Sequence, residues 1–315
     1  MSSSSPPPKY RNSLEEEEAL DLIDPLRHLL QQDEDDRVSL NGDQQDPHDQ
    51  SDQPPKADQV AILPQQRRSI KNERAIVRYY RDGRKRPITF NTITQRSDRP
   101  EGIDQEVEHG HSHYDVILKL DVTEGCGGKI WPAAEVLGAY ISSKHCDDGQ
   151  KKAGEPGCWK GKQIIELGTG TGLVGLLVAR MGIGAKTWIT DQIPMLQLMR
   201  DNLALNQPLP DECIVEELNW GEPIPASVPP KPDILLLADC VYLEVAFQPL
   251  VDTMAELSDK ETEILFCYQK RRKADKRFFT LLKKKFNFED VEDDDPVRTE
   301  VYRRQGTQLL RVFKK

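Results

Sequence analysis

The 315-residue sequence predicts an α/β fold with a mainly parallel sheet, preceded by a disordered tail. Three observations support this prediction. From residue 163 onward, short apolar runs alternate with helix-forming segments, which is typical of βαβ units. A glycine-rich turn directly follows the first of these runs. Between the last two runs, residues 292–306 show no helical pattern, so an antiparallel hairpin is expected at the end of the sheet.

Residues 1–70 differ in composition from the rest of the chain. They carry −8 of the chain's net charge of −10 and are rich in Ser, Pro, Gln and Asp. Such a segment cannot bury enough apolar surface to offset the entropy lost on ordering, so a disordered acidic tail is expected. Residues 71–315 are nearly neutral and are predicted to form a single domain. Net charge therefore gives no argument for a basic partner.

The first part of this domain, residues 74–141, is predicted to hold strands followed by a helix. Strand composition occurs at residues 75–80, 88–90 and 114–120. Residues 130–141 are amphipathic and carry Pro132 near their start, which predicts a helix. A polar loop insertion that contains glycine is expected over residues 142–160.

Residues 161–315 are predicted to form the cofactor-binding core. Strands are expected at residues 163–167, 187–191, 213–218, 234–238, 263–268, 288–291 and 308–313. Helices are expected at residues 172–181, 194–205, 245–257 and 272–286. This order predicts a parallel sheet with helices on both faces.

The strongest functional signal is the stretch Ile-Ile-Glu-Leu-Gly-Thr-Gly-Thr-Gly at residues 164–172. Glycine permits positive φ and lets a ligand approach the backbone closely, so Gly168 and Gly170 are candidate cofactor-binding residues. Glu166 would repel the phosphates that a dinucleotide places on a helix N-terminus, but it suits a cofactor that bears an ammonium and a sulfonium. We therefore predict S-adenosylmethionine. A dinucleotide is the main alternative, because a lone glycine turn is a weak signal.

Asp191 supplies a second cofactor signal. It ends a predicted strand and lies nineteen residues after Gly172. An acid one helix and one strand beyond the turn can accept hydrogen bonds from both ribose hydroxyls of an adenosine cofactor. The alternative is an N-cap for the helix that begins near Pro194, and the two roles are compatible.

Two further clusters follow predicted strands. Trp220 lies just past Leu218, where its ring could stack on adenine or fill core volume. The apolar run that ends at Ala238 leads into Asp239. Asp239 and Tyr242 would place a carboxylate and a phenol together at the exit of this strand. An N-cap role for Asp239 is the alternative.

Other sequence features exclude several classes of function. His109, His111 and His113 lack a carboxylate or cysteine at helical spacing, so no metal site is expected. Basic residues at 270–277 and 283–285 are expected to form a solvated helix face, because no nucleic-acid-binding motif accompanies them.

The location of the protein is also constrained. Neither a membrane span nor a secretory signal is predicted, since no apolar run approaches eighteen residues and the N-terminus lacks a basic start. The six cysteines form no Cys-x-x-Cys pair and are expected to be reduced thiols. These observations indicate a cytoplasmic protein, with nuclear access open.

Several of these signals together resemble the class I, or seven-strand, S-adenosylmethionine-dependent methyltransferases. They are Trp131, the turn from Glu166 to Gly172 with Asp191, Leu-Asn-Trp-Gly at 218–221 and Ala-Asp-Cys-Val-Tyr at 238–242. The Trp-Gly and Asp-x-x-Tyr signals narrow the resemblance to methyltransferase family 16 of protein lysine methyltransferases, over about residues 115–315. Within that group, the acidic tail, the core layout and the final Val-Phe-Lys-Lys are most similar to the fungal enzymes that methylate a lysine of translation elongation factor 1-alpha.

The resemblance implies a protein-lysine N-methyltransferase that acts on elongation factor 1-alpha as a monomer. It implies that the cofactor is lined by Trp131, Gly168, Thr169, Gly170, Asp191, Trp220 and Ala238. It places Asp239 and Tyr242 at the substrate entrance. A nucleic-acid or small-molecule methyltransferase is an alternative, although the Pro-Pro pair of adenine methylases is replaced here by Cys240 and Val241. A non-enzymatic adaptor that binds the cofactor is a third.

Overall fold

A computed structural model describes residues 70–81, 85–90, 113–270, 275–291, 296–304 and 306–315. Contacts divide the chain into two units, Met1–Ser69 and Ile70–Lys315, and the described residues all belong to the second. The acidic tail expected over residues 1–70 lies outside the described residues, apart from Ile70.

The second unit begins with a small antiparallel sheet. Its strands are β1 (Glu73–Tyr80), β2 (Lys85–Phe90) and β3 (His113–Leu120), in the order β2-β1-β3. Arg78 of β1 lies opposite Asp115 of β3, and its guanidinium donates two hydrogen bonds of 2.8 Å to that carboxylate. This cross-strand ion pair helps to set the register of the two strands.

A seven-stranded sheet forms the centre of the domain. Its strands are β4 (Gln163–Leu167), β5 (Lys186–Asp191), β6 (Glu212–Glu217), β7 (Ile234–Ala238), β8 (Glu263–Gln269), β9 (Phe286–Asp290) and β10 (Thr307–Lys314). The helices are α1 (Pro132–Lys144), α2 (Leu173–Met181), α3 (Ile193–Leu205), α4 (Phe247–Leu257), α5 (Asp275–Lys285) and α6 (Pro296–Arg304). The order is β6-β5-β4-β7-β8-β10-β9, and of these seven strands β10 alone runs in the opposite direction to the others.

The central strands are buried on both faces, as their apolar sequences predict. Ile164 of β4 packs with α1, α2 and the small sheet, whereas the next residue, Ile165, packs with α4 and α5. Both isoleucines are fully buried. The predicted α/β architecture, with helices on the two faces of a mainly parallel sheet, is confirmed.

The connection between β9 and β10 differs from the prediction. The antiparallel pairing is confirmed, but α6 lies between the two strands. Its sequence, Pro-Val-Arg-Thr-Glu-Val-Tyr-Arg-Arg, has too few apolar residues to show a helical pattern. Tyr302 is buried against the cluster that includes α1, so tertiary packing stabilises this helix. A second difference is that β9 starts at Phe286, directly where α5 ends.

Asn202 of α3 and Asn206, the C-cap residue of that helix, bind the outer edge of β3. Asn206 Oδ1 accepts a hydrogen bond of 3.0 Å from the amide of Ile117, and its Nδ2 donates one of 2.7 Å to the carbonyl of the same residue. Asn202 does the same with Lys119, at 2.6 and 3.2 Å. Asn202 Nδ2 also donates to the carbonyl of Thr171 in the glycine turn, at 2.8 Å. The small sheet is therefore linked directly to the turn that follows β4.

The insertion predicted as a loop over residues 142–160 is ordered around one buried carboxylate. Its first residues belong to α1, which extends to Lys144. Beyond the helix, the fully buried carboxylate of Asp148 lies 2.8 Å from His145 Nδ1 and accepts hydrogen bonds from Lys151 Nζ and the amide of Trp159, at 2.6 and 2.8 Å. The ring of His145 stacks on that of Trp159, with centroids 3.9 Å apart.

We expect D148A to lower the free energy of unfolding by about 3 kcal/mol at pH 7, because the change leaves buried donors without their acceptor. Burial alone would raise the pKa of Asp148, but the hydrogen bonds from His145 and Lys151 outweigh it and hold the pKa below its usual value. The stabilisation is therefore complete above about pH 4 and is lost as the pH falls through the folded-state pKa. Urea unfolding of the variant and of the wild type at several pH values measures this difference.

The matched control is D147A, at an adjacent and exposed aspartate. Asp147 reaches Arg81 only through a 3.6 Å surface contact, so this variant should stay within about 0.5 kcal/mol of the wild type. A stability gap for D148A that persists unchanged at pH 3 would contradict the ionic role of Asp148.

Candidate active site

The order of the strands places a crevice at the carboxyl end of β4. The chain runs from β4 outward through β5 and β6, then returns to β7 on the other side of β4. Because the connections leave β4 and β7 in opposite directions, a ligand crevice opens beyond the carboxyl ends of these strands. The glycine turn after β4, Asp191 at the end of β5 and Asp239 after β7 all lie at this edge.

The glycine turn has the backbone conformation that its sequence predicts. Gly168, Gly170 and Gly172 have φ values of +62°, +56° and +84°, in the left-handed region that favours glycine. A Cβ on Gly168 would lie 2.7 Å from the ring of Trp220, and one on Gly170 would lie 2.5 Å from the carbonyl oxygen of Gly127. Other parts of the chain therefore pack directly against the backbone of this turn, residues 168–172, which we call the glycine cradle.

Glu166 binds the start of the helix that follows this turn. Its side chain is fully buried, and Oε2 accepts a hydrogen bond of 2.8 Å from the amide of Gly175 in the first turn of α2. Burial raises the pKa of Glu166 to about 7, while the hydroxyl of Thr169 and the amide of Gly175 act in the opposite direction. A dinucleotide would place a phosphate on the free amides at the start of this helix. One of these amides, that of Gly175, is already hydrogen-bonded to the carboxyl group of Glu166. The expected interaction of Glu166 with a cofactor ammonium stays a prediction.

Asp191 binds the backbone of the turn at Gly170. Oδ2 accepts a hydrogen bond from the amide of Gly170 and Oδ1 accepts one from the amide of Gln192, both at 2.8 Å. The N-cap residue of α3 is Gln192, so Asp191 does not cap that helix. Burial raises the pKa of Asp191. A carboxylate has about four acceptor positions, so this partly exposed side chain retains capacity for the two hydroxyl donors of a ribose.

Two tryptophans flank the crevice. Trp220 is partly exposed, packs against one of the core clusters and lies against Gly168, so both roles considered for it stay open. Its loop is held by a hydrogen bond of 2.8 Å from the amide of Gly221 to Thr253 Oγ1. Trp131 precedes α1, and the ammonium of Lys129 lies 3.9 Å from its ring centroid. Both rings are partly exposed.

Asp239 occupies a constrained position at the exit of β7, directly after the partly exposed Ala238. Its φ of +63° lies in the left-handed region, which is uncommon outside glycine and recurs at functional sites. The amide of Asp239 donates to the carbonyl of Cys267 at 2.8 Å, and Oδ1 accepts from the amide of Gln269 at 3.3 Å. The helices that follow are capped by Leu243 and Ala246, so Asp239 is not an N-cap.

A turn that the sequence reasoning missed also enters the site. A short 3-10 helix, Cys126–Gly128, crosses the glycine turn, where a Cβ on Gly127 would lie 3.3 Å from the Cα of Gly170. The carbonyl of Cys126 accepts a hydrogen bond of 3.0 Å from Trp131 Nε1. The run Gly-Cys-Gly-Gly at 125–128 was the signal that could have indicated such a close backbone approach.

Several other expectations concern metals, thiols and membranes. Within the described ranges, no group of three or more His, Cys, Asp or Glu side chains could hold a metal ion. His109 and His111 lie outside those ranges, and His113 is an exposed residue of β3. All six cysteines are free thiols. Among the helices described, none is long and apolar enough to cross a membrane.

The fold and this edge of the sheet define a class of protein. A parallel sheet with an antiparallel last strand, a left-handed glycine cradle after β4 and a carboxylate at the end of β5 are the features of a class I methyltransferase. The residues fit S-adenosylmethionine, because the Asp191 carboxylate retains acceptor capacity for a ribose and the partly exposed ring of Trp220 lies against the glycine turn. The predicted fold class is confirmed.

Comparison with known proteins gives the same class. Residues 111–285 match the family model described as lysine methyltransferase. The chain is 38% identical over 206 residues to protein-lysine N-methyltransferase EFM6 of Saccharomyces cerevisiae, which covers 61% of this chain and 82% of that protein. It is 35% identical over 181 residues to protein N-lysine methyltransferase METTL21A of Danio rerio, with 57% and 77% covered. It is 34% identical over 188 residues to EEF1A lysine methyltransferase 3 of Mus musculus, with 59% and 75% covered.

The chain therefore belongs to the lysine methyltransferase family, as the sequence motifs predict. It is an S-adenosylmethionine-dependent protein-lysine methyltransferase, and the predicted enzyme class and cofactor are confirmed. The roles of the individual site residues stay predictions.

Proposed function

We propose that the protein transfers methyl groups to a lysine side chain of translation elongation factor 1-alpha. The observation that carries the lysine chemistry is the position of Asp239 and Tyr242, which follow β7 at the same edge of the sheet as the glycine turn. The choice of elongation factor is supported by EEF1A lysine methyltransferase 3 of Mus musculus, which is 34% identical to this chain. The acidic tail and the core layout, which resemble the fungal enzymes for that factor, support the same choice.

In this reaction the protein has to position the lysine nitrogen and favour its neutral form. When bound, S-adenosylmethionine would supply a methyl group on a sulfonium sulfur, and that sulfur would keep the electron pair of the broken bond as the lysine nitrogen bonds the carbon. A free lysine has a pKa of about 10.4, so only about one amine in two thousand carries a lone pair at pH 7. Asp239 would guide the incoming ammonium, and the buried surroundings of the entrance would favour the neutral amine. The proton then leaves nitrogen for water.

Asp239 is not assigned as the base in this scheme. A nearby carboxylate raises the pKa of an ammonium and so holds its proton more tightly. Its duty is to place the nitrogen on line with the reacting carbon, which can contribute several orders of magnitude in rate. Tyr242 would complete the placement through its hydroxyl oxygen and its ring.

The residues between Asp239 and Tyr242 disfavour an amino group of a nucleobase as the acceptor. Cys240 and Val241 are both buried, and the Cys240 thiol donates to the carbonyl of Leu167 at 3.2 Å. They pack in the core, whereas the corresponding prolines of adenine methylases shape the pocket for the base. The proposed entrance thus consists of one carboxylate and one phenol, which suits a cationic aliphatic amine.

The direct test incubates the purified full-length protein with methyl-labelled S-adenosylmethionine and purified elongation factor 1-alpha. We expect label on one lysine of the factor, located by peptide mass spectrometry, and none with the G168R variant. The same reaction is run with total RNA and with a cell lysate. Label on RNA, or on another protein with none on the factor, would overturn the proposal.

An exposed valine beside the entrance provides a second prediction. Val245 is 72% exposed and lies three residues after Tyr242. We expect V245D to raise the KM for the protein substrate about tenfold, because a substrate protein must cover this side chain to reach Tyr242. The dissociation constant for S-adenosylmethionine should not change. Steady-state kinetics and calorimetry measure the two quantities.

Phe313 offers a matched control. It is also a large exposed apolar residue, at 41%, but it lies near the end of β10. Because β10 runs antiparallel to β8, Phe313 lies at the opposite edge of the sheet from the crevice. F313D should therefore leave both constants unchanged, and an equal effect of the two substitutions would refute a docking role for Val245.

A further inference from the structure

We propose that Lys129 binds the carboxylate of S-adenosylmethionine, as a cofactor-binding residue that the sequence motifs do not include. The inference rests on the cofactor of the family and not on elongation factor 1-alpha as the substrate. It supplies a charge that the site otherwise lacks. Glu166 and Asp191 are both acids, and neither suits the carboxylate that the cofactor carries beside its ammonium and its sulfonium.

Lys129 belongs to the segment that crosses the glycine cradle. The 3-10 helix Cys126–Gly128 directly precedes it, and a Cβ on Gly170 would lie 2.5 Å from the carbonyl oxygen of Gly127. Three residues after Lys129, α1 begins at Pro132, and this helix shares a core cluster with β7 and β8. Lys129 therefore lies between a backbone packed on the cradle and the helix that covers the neighbouring strands.

The other site residues indicate which part of the cofactor would lie near this segment. Asp191, at the end of β5, is the predicted partner of the ribose, and Asp239, after β7, is at the proposed entrance for the lysine. Strand β4, which carries the cradle, lies between β5 and β7. With the ribose toward β5 and the methyl group toward β7, the sulfur would lie over the cradle. The amino-acid part, which is bonded to the same sulfur, would then lie near residues 127–131.

Cations are scarce around the crevice. Lys129 is the one lysine or arginine in the described segments that we place at the cofactor, which are residues 121–131, 166–172, 191–195, 218–221 and 238–243. Lys270 follows β8, is exposed, and lies beyond Asp239 as seen from the cradle. A carboxylate that leaves bulk water needs a cation or several N–H donors. Lys129 is the side chain in these segments that can provide that charge.

The structure holds the ammonium of Lys129 in a defined position. It lies 3.9 Å from the ring centroid of Trp131, and both side chains are half-buried. The ring is fixed in turn, because Trp131 Nε1 donates a hydrogen bond of 3.0 Å to the carbonyl of Cys126. An ammonium has three N–H donors, so it can contact a ring face and donate to a carboxylate at the same time. Such preorganisation lowers the entropic cost of binding.

The place of Lys129 in the chain also favours an anion. The N-cap residue of α1 is Trp131, which makes no side-chain capping hydrogen bond. The start of a helix carries partial positive charge, so a nearby ammonium is disfavoured there and an anion is favoured. Glu135, the acid in the first turn of α1, offsets part of this charge. A carboxylate bound by Lys129 would be stabilised both by the ammonium and by the helix.

Calorimetry with three ligands tests the inference without any turnover. We expect K129A to raise the dissociation constant for S-adenosylmethionine about tenfold, because one hydrogen bond between charged groups is lost. S-adenosylhomocysteine retains the carboxylate but lacks the sulfonium, and it should lose affinity by the same factor. Decarboxylated S-adenosylmethionine should bind K129A at least as tightly as it binds the wild type, which also shows that the variant is folded. K129R keeps the positive charge and should stay within about threefold of the wild type for all three ligands.

Lys186 provides a matched control. Its ammonium also lies over the ring of a tryptophan two residues later, 5.0 Å from the ring centroid of Trp188. Lys186 is the first residue of β5, however, and lies at the opposite edge of the sheet from the crevice. K186A should therefore leave all three dissociation constants unchanged.

Three outcomes would overturn the proposal. They are wild-type affinity of K129A for S-adenosylmethionine, an equal loss of affinity for the decarboxylated compound, and an equal effect of K186A. These outcomes do not depend on the protein substrate. The expected calorimetric result, together with no methylation of elongation factor 1-alpha by the wild type, would refute the proposed substrate and retain the role of Lys129.

Discussion

D239A is expected to lower methyl transfer to protein about a hundredfold or more, with the affinity for S-adenosylmethionine unchanged within about threefold. The physical reason is placement: without the carboxylate, an ammonium has no counter-charge that guides its nitrogen toward the cradle. Asp239 lies at the exit of β7, whereas the cradle is formed by the turn after β4. Single-turnover kinetics and calorimetry measure the two effects separately.

Asp239 also has a backbone role, which a second variant separates from its charge. Alanine tolerates the φ of +63° poorly, whereas asparagine adopts this region more readily and can still accept the hydrogen bond from Gln269. D239N should therefore have a melting temperature close to that of the wild type and still show strongly reduced transfer. Full activity of D239N, or a parallel loss of cofactor binding in D239A, would assign Asp239 a structural role instead.

The second large effect is expected at the glycine cradle. G168A should weaken binding of S-adenosylmethionine about tenfold, because its Cβ would lie 2.7 Å from Trp220 Cζ2 and must displace that ring. G168R should abolish detectable binding, since a long cationic side chain would enter the site of a cationic cofactor. Isothermal titration calorimetry measures both, and NADH serves as the comparison ligand. Tight binding of NADH without binding of S-adenosylmethionine would contradict the cofactor assignment.

Gly157 supplies the matched control for backbone strain. Its φ of +71° is close to that of Gly168, but a Cβ there would meet nothing within 4 Å. G157A should cost about 1–2 kcal/mol of stability and leave cofactor affinity unchanged. If G157A and G168A were equally impaired in binding, strain alone would explain the effect, and the contact with Trp220 would carry no function.

The sequence predicted well the parts of the fold that depend on local patterns. The strands from β4 to β8 and the helices between them were placed within one or two residues, because each is a short apolar run or an amphipathic segment bounded by turn residues. The left-handed turn at Gly168, Gly170 and Gly172 could also be predicted, since glycine is the residue that adopts positive φ most readily. The family resemblance rested on the same local signals.

The helix α6 was missed because the local signal is weak there. Its nine residues include four charged side chains, and the buried Tyr302 provides the contact that stabilises it. Asp148 was missed for a related reason, since an aspartate in a polar insertion gives no indication that it will be fully buried. In both segments the stability comes from partners that the surrounding sequence does not reveal.

The sequence by itself determined which backbone turns are left-handed, which segments are strands, and therefore the family and its cofactor. Tertiary structure alone decided that Glu166 binds the start of α2, that Asn202 joins β3 to the glycine turn, and that Gly127 packs against Gly170. The physical reason is the range of the interactions. Backbone conformation and apolar periodicity depend on neighbouring residues, whereas a buried hydrogen bond between distant segments exists only once the chain has packed.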